Sequence, residues 1–575
     1  MGDGAQACVR ENMLPEEPRG LTEKRMSLRT APLVLTGALA LAACATVAPA
    51  PDGQPQLSLD TLKTVTQQLS TDEFEGRAPT TVGEEKTVEL ISRRFAQAGL
   101  QPGNNGSWFQ NVPLVETTAT PTALTVTGGA QPLSLQYRTD MVANTYQVQP
   151  RVDLANSEMV FVGYGINAPE RGWNDYAGID VKGKTVVILV NDPDYESPGL
   201  EGTFNGKAMT YYGRWTYKYE EAARQGAAGA LIVHETAPAS YGWNVVQSSW
   251  TGPQYNLDDP GNHMDQSKVI GWLTNDAAQR LLASAGKDLS TLTAAAKRPG
   301  FKAVPLGLKA NVSLTNQIKR QASKNVIGIL PGRTRPDEYV IYTAHWDHLG
   351  ICDADKTGDK ICNGAVDNAS GTAGLVALAE AHAKAGRPER SILFVAVTAE
   401  ESGLLGSKFY GENPVFPLAR TVGGVNMDSL TMIGDARDFV PIGGSKSELE
   451  AYMQRAIGAH GLKLNPEPSP QAGYYYRSDH FSLAKQGVPM IYAKLGSDLV
   501  NGGTAAGEAA AADYRANRYH QPSDEYDPNW DWSGAMRELA IYYQIGRELA
   551  QTGAWPNWNQ GDEFRAIRDR SRAGQ

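Results

Sequence analysis

The sequence predicts an α/β protein. A domain built on a central mixed, mostly parallel sheet flanked by helices carries a smaller, inserted α+β unit. Three observations point there. First, apolar, β-branched runs at 325–330, 339–344, 391–397, 422–427 and 488–493 alternate with helical stretches, notably 371–385 and 446–460. That rhythm is typical of buried parallel strands covered by helices. Second, residues 156–166 and 184–193 read as strands, 216–228 as a helix and 229–234 as another buried strand. They form a compact α+β unit of their own. Third, 575 residues exceed what one ordinary core accommodates.

The elements follow in order. Lys24, Arg25 and Arg29 precede an apolar run from Ala31 to Ala43. The run is too short to span a bilayer but fits a signal-peptide core. Residues 1–43 are therefore expected to be a signal peptide, with Met26 an alternative start. The run ends Leu41-Ala42-Ala43-Cys44, which resembles the bacterial lipoprotein cleavage box. That resemblance implies lipidation at Cys44, export, and a periplasmic protein anchored to a bacterial membrane by lipid. Residues 44–58, rich in Ala, Pro and Gly, read as a tether. Leu59, Leu62, Val65 and Leu69 recur at helical spacing, as do Val88, Ile91, Phe95 and Ala98. Residues 59–145 are assigned to the N-terminal part of the main domain, 146–305 to the inserted unit and 306–555 to the catalytic part. Within 306–555, residues 533–551 read as an amphipathic helix. The charged tail, 556–575, is expected to fray.

Composition bounds the function. The hydrophobic share is 41% and the charged share 20%, as in a globular protein. A net charge of -10 argues against a nucleic-acid partner, because phosphate contacts need a basic face. Cys352 and Cys362 share one polar loop, and export makes a disulfide between them the expectation.

Four polar clusters fall at predicted strand ends, where open α/β sheets build their sites. His345 and Asp347 follow the strand YVIYTA, two residues apart and so on one face. From there Asp347 can fix the tautomer of His345. Asp367 stands where a loop meets a helix start; alone it reads as a cap. Glu400 and Glu401 leave the very apolar strand SILFVAV, where two carboxylates are costly unless something offsets their charge. Adjacent side chains diverge, so one can bind a cation while the other serves as base. Asp428 ends a fourth strand. His520 lies in a loop without periodicity.

His345-x-Asp347, Asp367, the Glu400-Glu401 pair, Asp428 and the late His520, in that order, resemble the site of the co-catalytic zinc aminopeptidases. That group includes leucyl aminopeptidases, glutamate carboxypeptidases and the non-catalytic transferrin receptors. The order VFVGYGI, DYAGIDVKGKTVVILV, EAARQGAAGALIV resembles a protease-associated domain. The resemblance implies two zinc ions, with cobalt or manganese as substitutes. Their ligands would be His345, Asp367, Glu401, Asp428 and His520, with Asp367 bridging. His345 and Asp428 would bind different ions, while Glu401 would share an ion with either His345 or His520. Asp347 would orient His345, and Glu400 would be the general base. Tyr475 would stabilise the oxyanion, although its neighbours Tyr474 and Tyr476 leave the register open. Asp479 and His480 read as structural. The expected function is an exported aminopeptidase acting on peptides, with membrane contact only through the lipid. The alternatives are a carboxypeptidase or dipeptidase, a one-zinc glutaminyl cyclase, and a receptor-like binding protein without catalysis.

Overall fold

The computed structural model describes residues 56–573. The leader, Cys8 and Cys44 lie outside the described residues. Two helices open the described chain, α1 (Leu59–Leu69) and α2 (Val82–Gln97). Each starts on a hydroxyl cap, with Ser58 accepting from the Thr61 amide and Thr81 from the Glu84 amide. The Glu84 carboxylate in turn accepts from the Thr80 amide at 2.6 Å, so the start of α2 is closed from both sides.

A long strand, β1 (Phe109–Pro121), leads into the inserted unit. There β2 (Arg151–Phe161), β3 (Thr185–Leu189), β4 (Gly229–Val233) and β5 (Val269–Leu273) lie side by side in that order, all parallel. Helix α3 (Trp215–Arg224) runs between β3 and β4. The main sheet consists of β6 (Val304–Leu330), β7 (Arg335–His345), β8 (Arg390–Val397), β9 (Thr421–Asn426) and β10 (Met490–Leu495). Its spatial order is β6-β8-β7-β9-β10. The last four are parallel and β6 runs antiparallel to β8. Every residue of β8 and β9 is buried, which explains their unbroken apolar runs. Helices α4 (Gly371–Lys384) and α6 (Ser533–Gln551) pack with α1 and α2 on one face. Between β10 and α6 runs α5 (Gly503–Asn517). No helix among the described residues is long and apolar enough to cross a membrane.

Two expectations need correction. The domain boundary at 305 falls inside a strand, because β6 is continuous over 27 residues. It pairs with β1 and β2 at one end and β8 at the other. One ladder therefore joins the inserted unit to the main sheet. The tail is also docked rather than frayed. Arg565–Ala573 is a helix, and Arg568, 1% exposed, donates to the carbonyls of Thr421 and Leu418. A guanidinium that satisfies carbonyls at the base of β9 gives a charged tail a reason to order.

Arg77, between α1 and α2, is fully buried. It donates to the carbonyls of Trp346 (2.9 Å), Leu69 (2.7 Å), Asn363 (2.5 Å) and Gly364 (2.9 Å). Arg77→Met leaves these four acceptors without their donor. The expected cost is about 3–5 kcal/mol, read as a lower urea midpoint at unchanged slope.

Candidate metal centre

Because β7, β8 and β9 are parallel, their carboxyl ends open on one rim of the sheet. His345 is the last residue of β7. Glu400 and Glu401 follow β8, and Asp428 follows β9. Asp367 reaches the same rim from the turn before α4. His520 arrives from the loop after α5.

Asp367 stands in the middle. Its Oδ1 lies 3.4 Å from His345 Nε2, and its Oδ2 lies 3.4 Å from His520 Nε2. Asp428 Oδ1 is 3.7 Å from His345 Nε2, and Glu401 Oε2 is 3.1 Å from His520 Nε2. The distances pair His345 with Asp367 and Asp428, and His520 with Asp367 and Glu401, with one carboxylate common to both triads. Glu401 also comes within 4.8 Å of the donor atoms of His345 and Asp367, so the two groups adjoin. This corrects the expectation that His345 and Asp428 belong to different halves. They end neighbouring strands, which brings them into the same triad, and Glu401 goes with His520.

Polar side chains hold each member in place. Asn368 is the tie between two loops. Its amide donates to the Met427 carbonyl at 3.1 Å and accepts from the Ser429 amide at 3.1 Å, on either side of Asp428. Its oxygen also accepts from the Gly371 amide at 2.9 Å. A Cβ on Gly371 would stand 2.2 Å from that oxygen, so the first residue of α4 must be glycine. Asp524 accepts from the Val366 and Asp367 amides at 3.2 and 3.1 Å. It thus ties the His520 loop to the turn that carries Asp367. The Asp347 carboxylate accepts from the Glu400 amide at 3.1 Å and the Glu401 amide at 3.4 Å, and lies 3.7 Å from His345 Nδ1. His348 Nδ1 meets Glu401 Oε1 at 2.7 Å.

The crowding shows in the proton affinities. Burial would lift Asp367, but hydrogen bonds from His345 and His520 hold it well below the usual carboxylate range. Glu401, also opposed by burial, is pulled to about 2 by His520 and His348. Burial would lower His520, yet Glu401 and Asp367 raise it to about 10. Glu400 is lifted well above the ordinary range by burial, and then by Glu401 and Asp428, against the pull of His345. Burial holds Asp479 at about 7. Protons on the imidazoles thus do work that a cation would do.

The donors fit such a cation. His345 Nε2 is buried without a hydrogen-bond partner, although two carboxylates converge on it. Donors around a tetrahedral zinc with bonds of ~2.0–2.1 Å stand ~3.3–3.4 Å apart, close to the imidazole-to-carboxylate separations of 3.1–3.7 Å seen here. Imidazole with carboxylate is also a donor set that suits zinc.

Residues 325–544, which carry every member of both triads, match the description Peptidase family M28. These residues are a peptidase family M28 domain. The inserted unit lies outside the matched stretch. Among curated proteins, Aminopeptidase NAALADL1 of Mus musculus is 38% identical over 139 residues, 23% of this chain and 17% of that protein. The matched chain therefore spans less than a fifth of that relative's length. Probable glutamate carboxypeptidase AMP1 of Arabidopsis thaliana is 27% identical over 298 residues, 50% of this chain and 40% of that protein. Among solved structures, the aminopeptidase from Aneurinibacillus sp. strain AM-1 aligns at TM-score 0.48 and 20% identity. The alignment covers 87% of this chain and 95% of that one.

Not every expected residue reaches the centre of the M28 domain. Tyr475 lies in a separate aromatic cluster with Tyr476, Phe481, Trp558 and Phe564. Its ring takes Lys446 at 5.3 Å and packs edge-on against His480 at 4.5 Å. The acids that act on it are Asp562 and Glu563 rather than those of the rim. Tyr474 is exposed and Tyr476 bonds to Glu563, so neither neighbour takes its place. The tyrosines at the rim are Tyr492 and Tyr519. Tyr492 feels Asp428, Asp367 and Glu400, and Tyr519 stacks on His520 at 3.9 Å. His480 sits between Tyr475 and Tyr492. A sulfur–sulfur bond joins Cys352 to Cys362. The helpers His348, Asn368, Asp524 and Arg77 carry no motif of their own. Only the HxDH spacing at 345–348 and the nearness of Asp524 to His520 point to any of them.

Asp524→Ala removes the acceptor that fixes the Asp367 turn. Zinc affinity should fall ~10–100-fold, measured by competition with a chromogenic chelator. Parent affinity would show that the turn holds itself.

Proposed function

We propose that this chain is an exported zinc-dependent metallopeptidase, and specifically an aminopeptidase. One observation carries the reading: the single carboxylate of Asp367 faces His345 with one oxygen and His520 with the other. His345, Asp367 and Asp428 would hold one zinc, and His520, Asp367 and Glu401 the second. Zinc bound there supplies Lewis acidity for a scissile carbonyl and makes an attacking water more acidic.

The remaining work falls to the chain's own groups. Glu400 stands within 4.8 Å of the donor atoms of His345 and Asp428 without belonging to the shared-carboxylate triads. It takes the proton from the attacking water on its carboxylate and delivers it to the leaving amine. Asp347 holds the amides of both glutamates, so base and ligand keep a fixed spacing. The role first expected of Tyr475, donating to a developing oxyanion, would fall to one of the rim tyrosines, Tyr519 stacked on His520 or Tyr492 in the field of Asp428, Asp367 and Glu400.

The names aminopeptidase and glutamate carboxypeptidase on matched relatives support peptide-bond hydrolysis. The basic-apolar leader ending at Cys44 supports export and lipid anchoring. The Cys352–Cys362 disulfide fits the oxidising compartment that export implies.

Glu400→Gln should keep its zinc and lose kcat by ~10²–10⁴-fold on aminoacyl-nitroanilides. Turnover at the parent rate would remove Glu400 from the role of base.

A further inference from the structure

At the end of the main sheet opposite the metal centre, the amino ends of β7, β8 and β9 meet the carboxyl ends of α4 and α6. Arginines collect there. Arg387 donates to the carbonyls of Pro331 at 3.0 Å and Gly332 at 2.7 Å, in the turn before β7. Arg547 donates to Ala385 at 3.0 Å and Gly386 at 2.9 Å, just past α4. Arg335, the first residue of β7, donates to Gln551, the last of α6, at 3.2 Å. Arg572 donates to Ala419 at 3.3 Å, just before β9. The loops are stitched to one another, with the Arg333 amide on the Pro388 carbonyl at 2.8 Å and the Arg335 amide on that of Glu389 at 2.9 Å. Half-buried Trp555 joins them, its ring centre 3.5 Å from the Arg572 guanidinium and 5.1 Å from that of Arg390.

These donors go to carbonyls, which satisfy N–H groups without cancelling a charge. The acids of the face are already engaged. Glu338 pairs with Arg390 at 2.6 Å, Glu389 with Arg333 at 2.8 Å and Asp337 with Arg420 at 3.3 Å. Glu338 and Glu389 also feel Arg572 and Arg335, so each is shared between guanidiniums. A positive face thus stands on a chain whose net charge is -10. Arg387 is exposed, and Arg335, Arg547 and Arg572 are half-buried, so their charges reach solvent.

The chain enters the described structure at the same end. Thr61, in the first turn of α1, donates to Glu380 at 2.9 Å, one turn before α4 stops. From there α1 runs toward the rim, where Arg77 gathers the Leu69 carbonyl with those of Trp346 and Gly364. Residues 44–58, read as a tether, therefore join the domain on its arginine side. A tether of that length reaches at most ~50 Å, so a lipid on Cys44 fixes place but not orientation. Strand β7 has 11 residues from Arg335 to His345, which sets the face ~30 Å from the metal centre.

We propose that the face around Arg335, Arg387, Arg547 and Arg572 docks on anionic phospholipid headgroups. Guanidinium forks suit phosphodiesters, and an indole such as Trp555 favours headgroup level. Docking turns the metal centre away from the membrane, toward soluble peptides. The inference rests on the anchoring part of the reading above and not on the peptidase part.

The test uses the mature chain from Cys44, with Cys44→Ser so that no lipid is attached, which keeps every described residue. It is sedimented with vesicles of phosphatidylcholine alone and with ~30% phosphatidylglycerol. The face predicts binding ~10-fold or more tighter to the anionic vesicles, lost as salt screens the charges. The folded variant Arg335→Gln/Arg387→Gln/Arg572→Gln should lose ~10-fold or more of that binding and keep the parent kcat/KM. If it does not fold, Arg387→Gln alone should lose ~5-fold. Lys287→Gln/Lys302→Gln/Lys309→Gln removes as much charge from the inserted unit and should bind like the parent. Equal binding of the parent to both vesicles overturns the face. So do arginine variants that bind like the parent, and a lysine variant that loses as much as the arginine one. Self-association at low salt without preference for anionic lipid assigns the arginines to a contact between copies and also overturns it. Each of these failures leaves peptide hydrolysis untouched, and failed hydrolysis leaves the face standing.

Discussion

Asp367 sets the terms for the whole centre. A buried carboxylate normally satisfies its oxygens with donors close at hand. This one spreads its two oxygens between imidazoles delivered by segments more than a hundred residues apart. Glu401 and Asp428 then press in from the other sides of the same two rings. Such an arrangement is tolerable only when positive charge sits among the acids. In the chain by itself, raised histidine affinities supply it. Two divalent cations would supply more, and would engage the His345 Nε2 that otherwise lacks a partner.

Much of the fold can be understood as keeping that carboxylate still. Parallel strands bring His345, the glutamate pair and Asp428 to one rim because their carboxyl ends coincide. The Asn368 side chain then locks the Asp428 loop to the Asp367 turn, and Asp524 locks the turn to the His520 loop. Behind them Arg77 gathers four carbonyls from three segments, and its charge also faces Asp347, Asp524, Asp367 and Glu401. The buried guanidinium is therefore a strut and a counter-charge at once. The disulfide between Cys352 and Cys362 closes the loop that leads from His348 to Asn363, one of those carbonyls. On the far side, the continuous β6 ladder fixes the inserted unit against the domain.

The sequence revealed what period and position carry. The strands of the main sheet were legible because β8 and β9 are apolar throughout, and their ends pointed to the acids. The grouping of ligands was not legible, because it depends on spatial strand order. β7 lies between β8 and β9, and no local pattern states that. Tyr475 was misplaced for a related reason. Three adjacent tyrosines look alike in sequence, and the rim tyrosines come from β10 and the His520 loop instead. Helix α5 is rich in alanine and glycine with only Gly507 buried, so it has no apolar stripe to read. The tail was misread because scattered anchors hold it, Trp558 and Phe564 in an aromatic cluster and the buried Arg568, rather than a hydrophobic period.

The measurement that bears most directly on the shared carboxylate is the zinc content of Asp367→Asn beside that of the parent, after equilibrium dialysis of both folded proteins. If one side chain serves both triads, the parent binds two ions and the variant loses both together. A variant that keeps one ion at parent affinity would contradict the account, because the triads would then stand independently.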